Sequence, residues 1–228
     1  YGRVRFHHRS VQEYLAASRL RALRAGQMGV KELLRLLFAE PYGERVVIPS
    51  TRPVAAWLAL WDDSVMKELS SRQPEVLLSL GDPEALSLQA KADVVRRFAN
   101  AYGTGTWRGI NIPIDEVRRL ATPELDPVIR DLWQTSRANE DVSELLLELI
   151  WQSKTTGCSD IAEAAAMDTN LPPYQRVVAI RALVDSGAHV AARRVTNSIV
   201  SSPVAWPDRV IHGAAADLAV VGDAEDLT

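Results

Sequence analysis

Val4-Arg5-Phe6-His7-His8-Arg9-Ser10-Val11-Gln12-Glu13-Tyr14-Leu15-Ala16-Ala17 passes from one backbone periodicity to another. Over Tyr1 to His8, the residues Val4, Phe6 and His8 fall on one face and Arg3, Arg5 and His7 on the other, which is the alternation of a strand. Ser10 followed by Glu13 predicts a capping box, with the serine hydroxyl accepting from the Glu13 amide and the glutamate accepting from the Ser10 amide. Arg9 precedes the cap, so a hydrophobic staple is missing. Further on, Val11, Tyr14, Leu15 and Ala22 form one helical stripe and Ala16, Leu20 and Leu23 a second, which predicts a helix gripped from two sides.

After Gly26 the pattern becomes a succession of amphipathic helices. Val30, Leu33, Leu34, Leu37 and Phe38 recur at the spacing of one helix face. Thr51 with Pro53 predicts a start for a helix carrying Val54, Leu58 and Trp61, and Ser87 a start for one carrying Leu88, Ala92, Val95, Ala99 and Tyr102. Asn139 is placed to cap a helix whose stripe is Val142, Leu145, Leu146, Leu149 and Ile150. Further helices are predicted from Ser159, from Pro173, from about His189 and from Pro207, each closed by Gly, Asn, Ser or Pro. No sustained strand pattern follows Ile48, so the predicted fold is all-α.

Helix-opening landmarks at Thr51, Ser87 and Pro123 are 36 residues apart, and those at Asn139, Pro172 and Pro207 are 33 and 35 apart. The two series are out of phase, and the spacing suits helix pairs stacked in a row. The tetratricopeptide pattern is absent. Asp168-Thr169-Asn170-Leu171-Pro172-Pro173-Tyr174-Gln175-Arg176-Val177-Val178-Ala179-Ile180-Arg181-Ala182-Leu183 resembles the turn and second helix of a HEAT-like repeat, with an aspartate in the turn and an arginine followed by small residues. That resemblance implies a HEAT-like α-solenoid, in which each pair buries its apolar face against the next.

The chain has 228 residues, of which 47% are hydrophobic and 24% charged, with a mean hydropathy of −0.07. A chain of this length buries roughly 70% of its unfolded surface. No run approaches the ~18 consecutive apolar residues of a membrane span, and the first residues do not form a signal peptide. The single cysteine, Cys158, cannot make an internal disulfide, in keeping with a reducing compartment and an expected cytoplasmic location. Charge is unevenly distributed: residues 1–35 carry eight Lys/Arg against two Asp/Glu, a balance of +6 that leaves −9 for the rest of a chain of net charge −3. The basic end either faces a phosphate, an acidic domain or nucleic acid, or simply solvates a helix face through Arg19, Arg21 and Arg24. The acidic remainder argues against nucleic acid as a partner of the helical region.

The order Phe-x-His-Arg-Ser-x-Gln-Glu-Tyr-x-Ala-Ala, read from Phe6 to Ala17, resembles the end of the winged-helix segment in NACHT-type STAND NTPases. These are signalling ATPases that include animal inflammasome receptors and bacterial anti-phage sensors. The resemblance implies that residues 1–26 are the end of a winged-helix element with its closing helix, and that residues 27–228 are a HEAT-like helical sensor region, truncated at both ends. It further implies an upstream NTPase domain holding ADP or ATP with Mg in the parent protein, a protein trigger, and oligomerisation of the parent on activation. The nucleotide machinery is not encoded here: there is no Gly-x-x-x-x-Gly-Lys-Ser/Thr loop and no strand ending in paired acids for magnesium. The fragment is therefore expected not to be an enzyme. The other readings are a freestanding HEAT-like protein-binding scaffold and a HEAT-like DNA-processing enzyme.

Candidate site residues are few. His8 precedes a helix N-terminus, where unpaired amides and the positive end of the macrodipole favour an anion. The NACHT resemblance matches His8 to the histidine that touches the ADP phosphate and holds the protein off; the plainer alternative is a hydrogen bond to a neighbouring backbone group. Gly103-Thr104-Gly105-Thr106-Trp107-Arg108-Gly109 lacks the lysine and the glycine spacing of a phosphate loop. Trp107 and Arg108 are candidate partner contacts, or else Trp107 plugs the adjacent helix pair. Gly-x-Ser-x-Gly and His-Glu-x-x-His are absent, and the histidines show no metal-ligand spacing.

Overall fold

The computed structural model describes residues 8–103 and 109–223, with only the backbone of Tyr42 and of residues 220–223. Among the described residues 78% are helical, in thirteen α-helices and short 3-10 turns, and the sheet is a two-stranded antiparallel ribbon. Apart from His8, the strand predicted over Tyr1 to His8 lies outside the described residues, as do Trp107 and Arg108. Contacts divide the chain into two compact units, Tyr1–Ala101 and Tyr102–Thr228.

The first unit opens with α1 (Arg9–Gly26), and the predicted capping box is not formed. The helix begins two residues earlier than the serine cap requires, with His8 in the N-cap position. That start puts Arg9 one turn ahead of Glu13, and its Nε donates to Glu13 Oε1 at 2.8 Å, a pairing favoured at this spacing. Nor is α1 gripped from two sides among the described residues. Its covered side runs through Glu13, Ala17, Leu20 and Arg24, of which only Ala17 is fully buried, while Val11, Leu15 and Leu23 are exposed.

Helix α2 (Val30–Leu37) buries Leu33 and Leu37 and stops short of Phe38. Phe38 was expected on the helical stripe, but it adopts φ −125 ψ 143 and opens β1 (Phe38–Ala39), which pairs with β2 (Val46–Val47) in the register Phe38↔Val47. Pro41 disfavours helix at Glu40, which helps explain the early stop. The ribbon is tied to its surroundings at two points. Thr51 Oγ1 donates to the Leu37 carbonyl at 2.9 Å, and Val47 N donates to Gln73 Oε1 at 2.8 Å. Next come α3 (Arg52–Ala59), α4 (Asp63–Arg72), α5 (Pro74–Ser79) and α6 (Leu88–Tyr102). Asp62 caps α4 by accepting from Ser64 N and Val65 N, and Ser87 accepts from Ala90 N at the start of α6 as predicted. Gly81 has φ +76, and a Cβ there would come within 2.9 Å of the Ala56 carbonyl carbon, so the turn after α5 requires glycine.

The second unit contains α7 (Ile114–Leu120), α8 (Asp126–Ser136), α9 (Glu140–Ser153), α10 (Ser159–Met167), α11 (Pro173–Asp185), α12 (His189–Ser201) and α13 (Asp208–Asp223). The starts predicted at Asn139, Ser159, Pro173, His189 and Pro207 coincide with these helices to within a residue. Asn139 Oδ1 accepts from Val142 N at 3.2 Å, as a cap should. Helices α8 and α9, α10 and α11, and α12 and α13 pack as successive pairs. Between pairs, α9 packs on α11 and α11 on α13, while α10 packs on α12.

Side chains bridge corresponding helices at a nearly constant separation in sequence. Arg130 meets Asp160 and Arg194 meets Glu163, 30 and 31 residues apart; Ser143 meets Gln175, Trp151 meets Asp185 and Arg181 meets Asp217, 32, 34 and 36 apart. Arg176 anchors the centre. It is 2% exposed, its Nε donates to the Ala166 carbonyl at 2.9 Å, and its guanidinium lies 4.2 Å from the centroid of the Trp206 ring. Burial holds its pKa below the ordinary arginine value. The charge is met by a helix C-terminus and an aromatic face, both favourable surroundings for a cation.

Candidate functional site

His8 occupies the N-cap position of α1 with an extended backbone, φ −113 ψ 125, and its exposed side chain makes no capping hydrogen bond. The first turn of α1 contains no acidic residue. The open amides and the imidazole at this end could therefore meet an anion.

One turn further along, α1 is locked to α3 and the start of α4. The Tyr14 ring stands edge-on to Trp57 and Trp61, with centroid distances of 5.1 and 5.7 Å and interplanar angles of 81° and 77°. Trp57 and Trp61 stack at 6.5 Å, and the Arg21 guanidinium lies 4.9 Å from the Trp61 centroid. Edge-to-face aromatic pairs of this kind contribute about 1 kcal/mol each beyond the area they bury. Arg24 closes the lock with a 3.2 Å ion pair to Asp62, the residue that caps α4. Ala17, one turn beyond Tyr14 on α1, is fully buried, and its small side chain suits the packing of α1 against α3.

In the second unit, the side where α9, α11 and α13 follow one another carries a polar and aromatic ridge. Glu140, Glu144 and Glu148 recur every fourth residue on α9, on one helix face. Glu148 is 5% exposed and accepts from Tyr174 Oη at 2.7 Å. Burial pushes the Glu148 carboxyl up to about 7; the Tyr174 hydrogen bond opposes that rise and the Glu144 charge adds to it. Glu144 is raised by burial and by Glu140 and Asp141, and the Tyr174 phenol is raised by burial and by Glu148. Trp151 Nε1 donates to Asp185 Oδ2 at 2.8 Å, and Arg181 covers the Trp151 ring at 5.3 Å while its Nε reaches Asp217 Oδ2 at 3.3 Å. Such a ridge offers aromatic faces, carboxylates and a half-exposed phenol to a partner.

Cys158 sits apart from both places, buried beside Asp126, and burial pushes its thiol up to about 12, which makes it a poor nucleophile. No group of three or more His, Cys, Asp or Glu that could hold a metal occurs among the described residues. No described helix is long and apolar enough to cross a membrane.

Of the three predicted site residues, His8 is the N-cap of α1 itself, where a Ser10 cap would have left it two residues ahead of the helix, and Trp107 and Arg108 fall outside the described residues. Sequence reasoning missed the lock and the ridge. The fourfold spacing of Glu140, Glu144 and Glu148 was legible; the convergence of Tyr14 on Trp57 and Trp61 required the tertiary fold. No protein-family model, curated protein or solved structure matches the chain.

Proposed function

We propose that this chain is the non-catalytic sensor and relay region of a NACHT-like STAND signalling ATPase, of the kind used in bacterial anti-phage defence. In this reading α1 closes a winged-helix element, and the later helices form a HEAT-like α-solenoid that recognises a protein trigger. The ATPase, with ADP or ATP and Mg, belongs to the parent protein, which oligomerises when activated, in the cytoplasm.

The observation that carries this reading is the lock on α1. The helix that begins beside His8 is held to α3 and α4 by Tyr14, Trp57, Trp61 and the Arg24–Asp62 pair. Displacement of α3 therefore displaces His8, which in the parent would contact the ADP phosphate. Trigger binding then biases an off/on equilibrium through its different affinity for the two arrangements. The test uses the full-length parent. His8→Ala should raise basal signalling or weaken ADP retention, and Tyr14→Ala should blunt the response to the trigger while leaving its binding intact. Unchanged ADP occupancy together with an unchanged trigger response in both variants would refute the relay.

A freestanding HEAT-like scaffold is the second reading, favoured by the bridges at near-constant separation between successive helix pairs. A parent gene with no ATPase upstream in the same reading frame would decide for it.

A further inference from the structure

Helix α2 turns Lys31, Leu34 and Arg35 to one side, the i, i+3 and i+4 positions of a single face, and Phe38 follows at the start of β1. The hairpin that leaves β1 brings Glu40 and Arg45 to the same place, and together these six residues line a cleft of about 610 Å³. Its cations differ in how they are held. Arg45 donates from Nε and Nη2 to Glu40 Oε1, at 2.9 and 2.7 Å, and from Nη1 to Glu68 Oε1 at 3.1 Å. Those bonds fix the guanidinium and neutralise Glu40, and they leave two of its five N–H donors. Lys31 and Arg35 are exposed and make no ion pair or side-chain hydrogen bond among the described residues. Leu34, half-buried, and Phe38, buried, supply an apolar wall.

A cleft of this volume lies within the roughly 300–1,000 Å³ range of small-molecule sites, which combine an apolar lining with a few convergent polar groups. Two unpaired cations and one preoriented guanidinium suit a single oxyanion headgroup. They are too few for a polynucleotide, whose affinity rests on neutralising many phosphates. We infer that the cleft between α2 and the β1–β2 hairpin binds a small phosphate monoester, with its headgroup between Lys31, Arg35 and Arg45 and an apolar body against Leu34 and Phe38. This site involves neither His8 nor α1, so it stands or falls separately from the relay.

The experiment is calorimetric titration of the 228-residue chain with phenyl phosphate at low salt, beside inorganic phosphate and benzyl alcohol. Phenyl phosphate should bind more tightly than either half alone. Lys31→Ala with Arg35→Ala, both at exposed positions, should weaken it at least about tenfold, Leu34→Gln should weaken it less, and Arg19→Ala on α1 should leave it unchanged. Thermal melts establish that each variant is folded. Equal affinity in the double variant, or binding no tighter than benzyl alcohol, overturns the assignment. So does occupation of the cleft by a polyglutamate peptide or an oligonucleotide that phenyl phosphate cannot displace.

Discussion

Tyr174 of α11 donates a 2.7 Å hydrogen bond to Glu148 of α9, joining a half-exposed phenol to a carboxyl that is only 5% exposed. The carboxyl titrates near 7 instead of 4.5 because burial penalises its charged form more than the hydrogen bond stabilises it. Between those values the folded chain holds a proton that the unfolded chain has released, so stability should fall as pH rises through that window, by roughly 3 kcal/mol at most. Glu144, raised for the same reason, acts in the same direction. Urea unfolding at pH 5 and pH 8 should show the loss, and Glu148→Gln should flatten it. Tyr174→Phe should move the Glu148 titration further upward, as read by carboxyl NMR.

Arg176 should tolerate substitution poorly. Changing it to Ala removes the hydrogen bond to Ala166 O and opens a void against Trp206, which should cost about 3 kcal/mol or more in urea unfolding. Arg176→Lys should recover only part of this, since an ammonium cannot both lie flat on the indole and reach the carbonyl as the guanidinium does. A double-mutant cycle with Trp206→Ala should show coupling of at least about 0.5 kcal/mol.

The two serine and asparagine positions read as caps should behave differently. Asn139→Ala removes the acceptor for Val142 N and should cost about 1 kcal/mol. Ser10→Ala, one residue inside α1, should change stability by less than about 0.5 kcal/mol. Equal losses at both sites would restore the capping box.

Ala17→Leu should press α1 away from its neighbours, because Ala17 has no accessible surface and lies one turn beyond Tyr14 on a helix that packs against α3. Overpacking of this kind costs about 1–3 kcal/mol. The ring stack should report it directly as a change in tryptophan fluorescence, whereas Ala16→Leu, at an exposed position, should leave the emission as it is.

Local chemistry made the second unit readable. Asn139, Ser159, Pro173, His189 and Pro207 each sit where a helix must start, and the apolar stripes behind them are buried. What escaped depended on partners distant in the chain or on competition between near-equal local choices. Ser10 loses its cap role because the helix begins two residues earlier, at Arg9, a start that also sets Arg9 beside Glu13. Phe38 fits the α2 stripe but gains a strand partner in Val47. Arginine ordinarily points to solvent, so nothing at Arg176 announces its burial until the Ala166 carbonyl and the Trp206 ring are seen to enclose it.

The bridges from α9 to α11 and from α11 to α13 leave α11 with neighbours on both flanks. Backbone amides of α11 should thus exchange with deuterated solvent only when the whole second unit opens. Loosening of the second unit should reach α11 last.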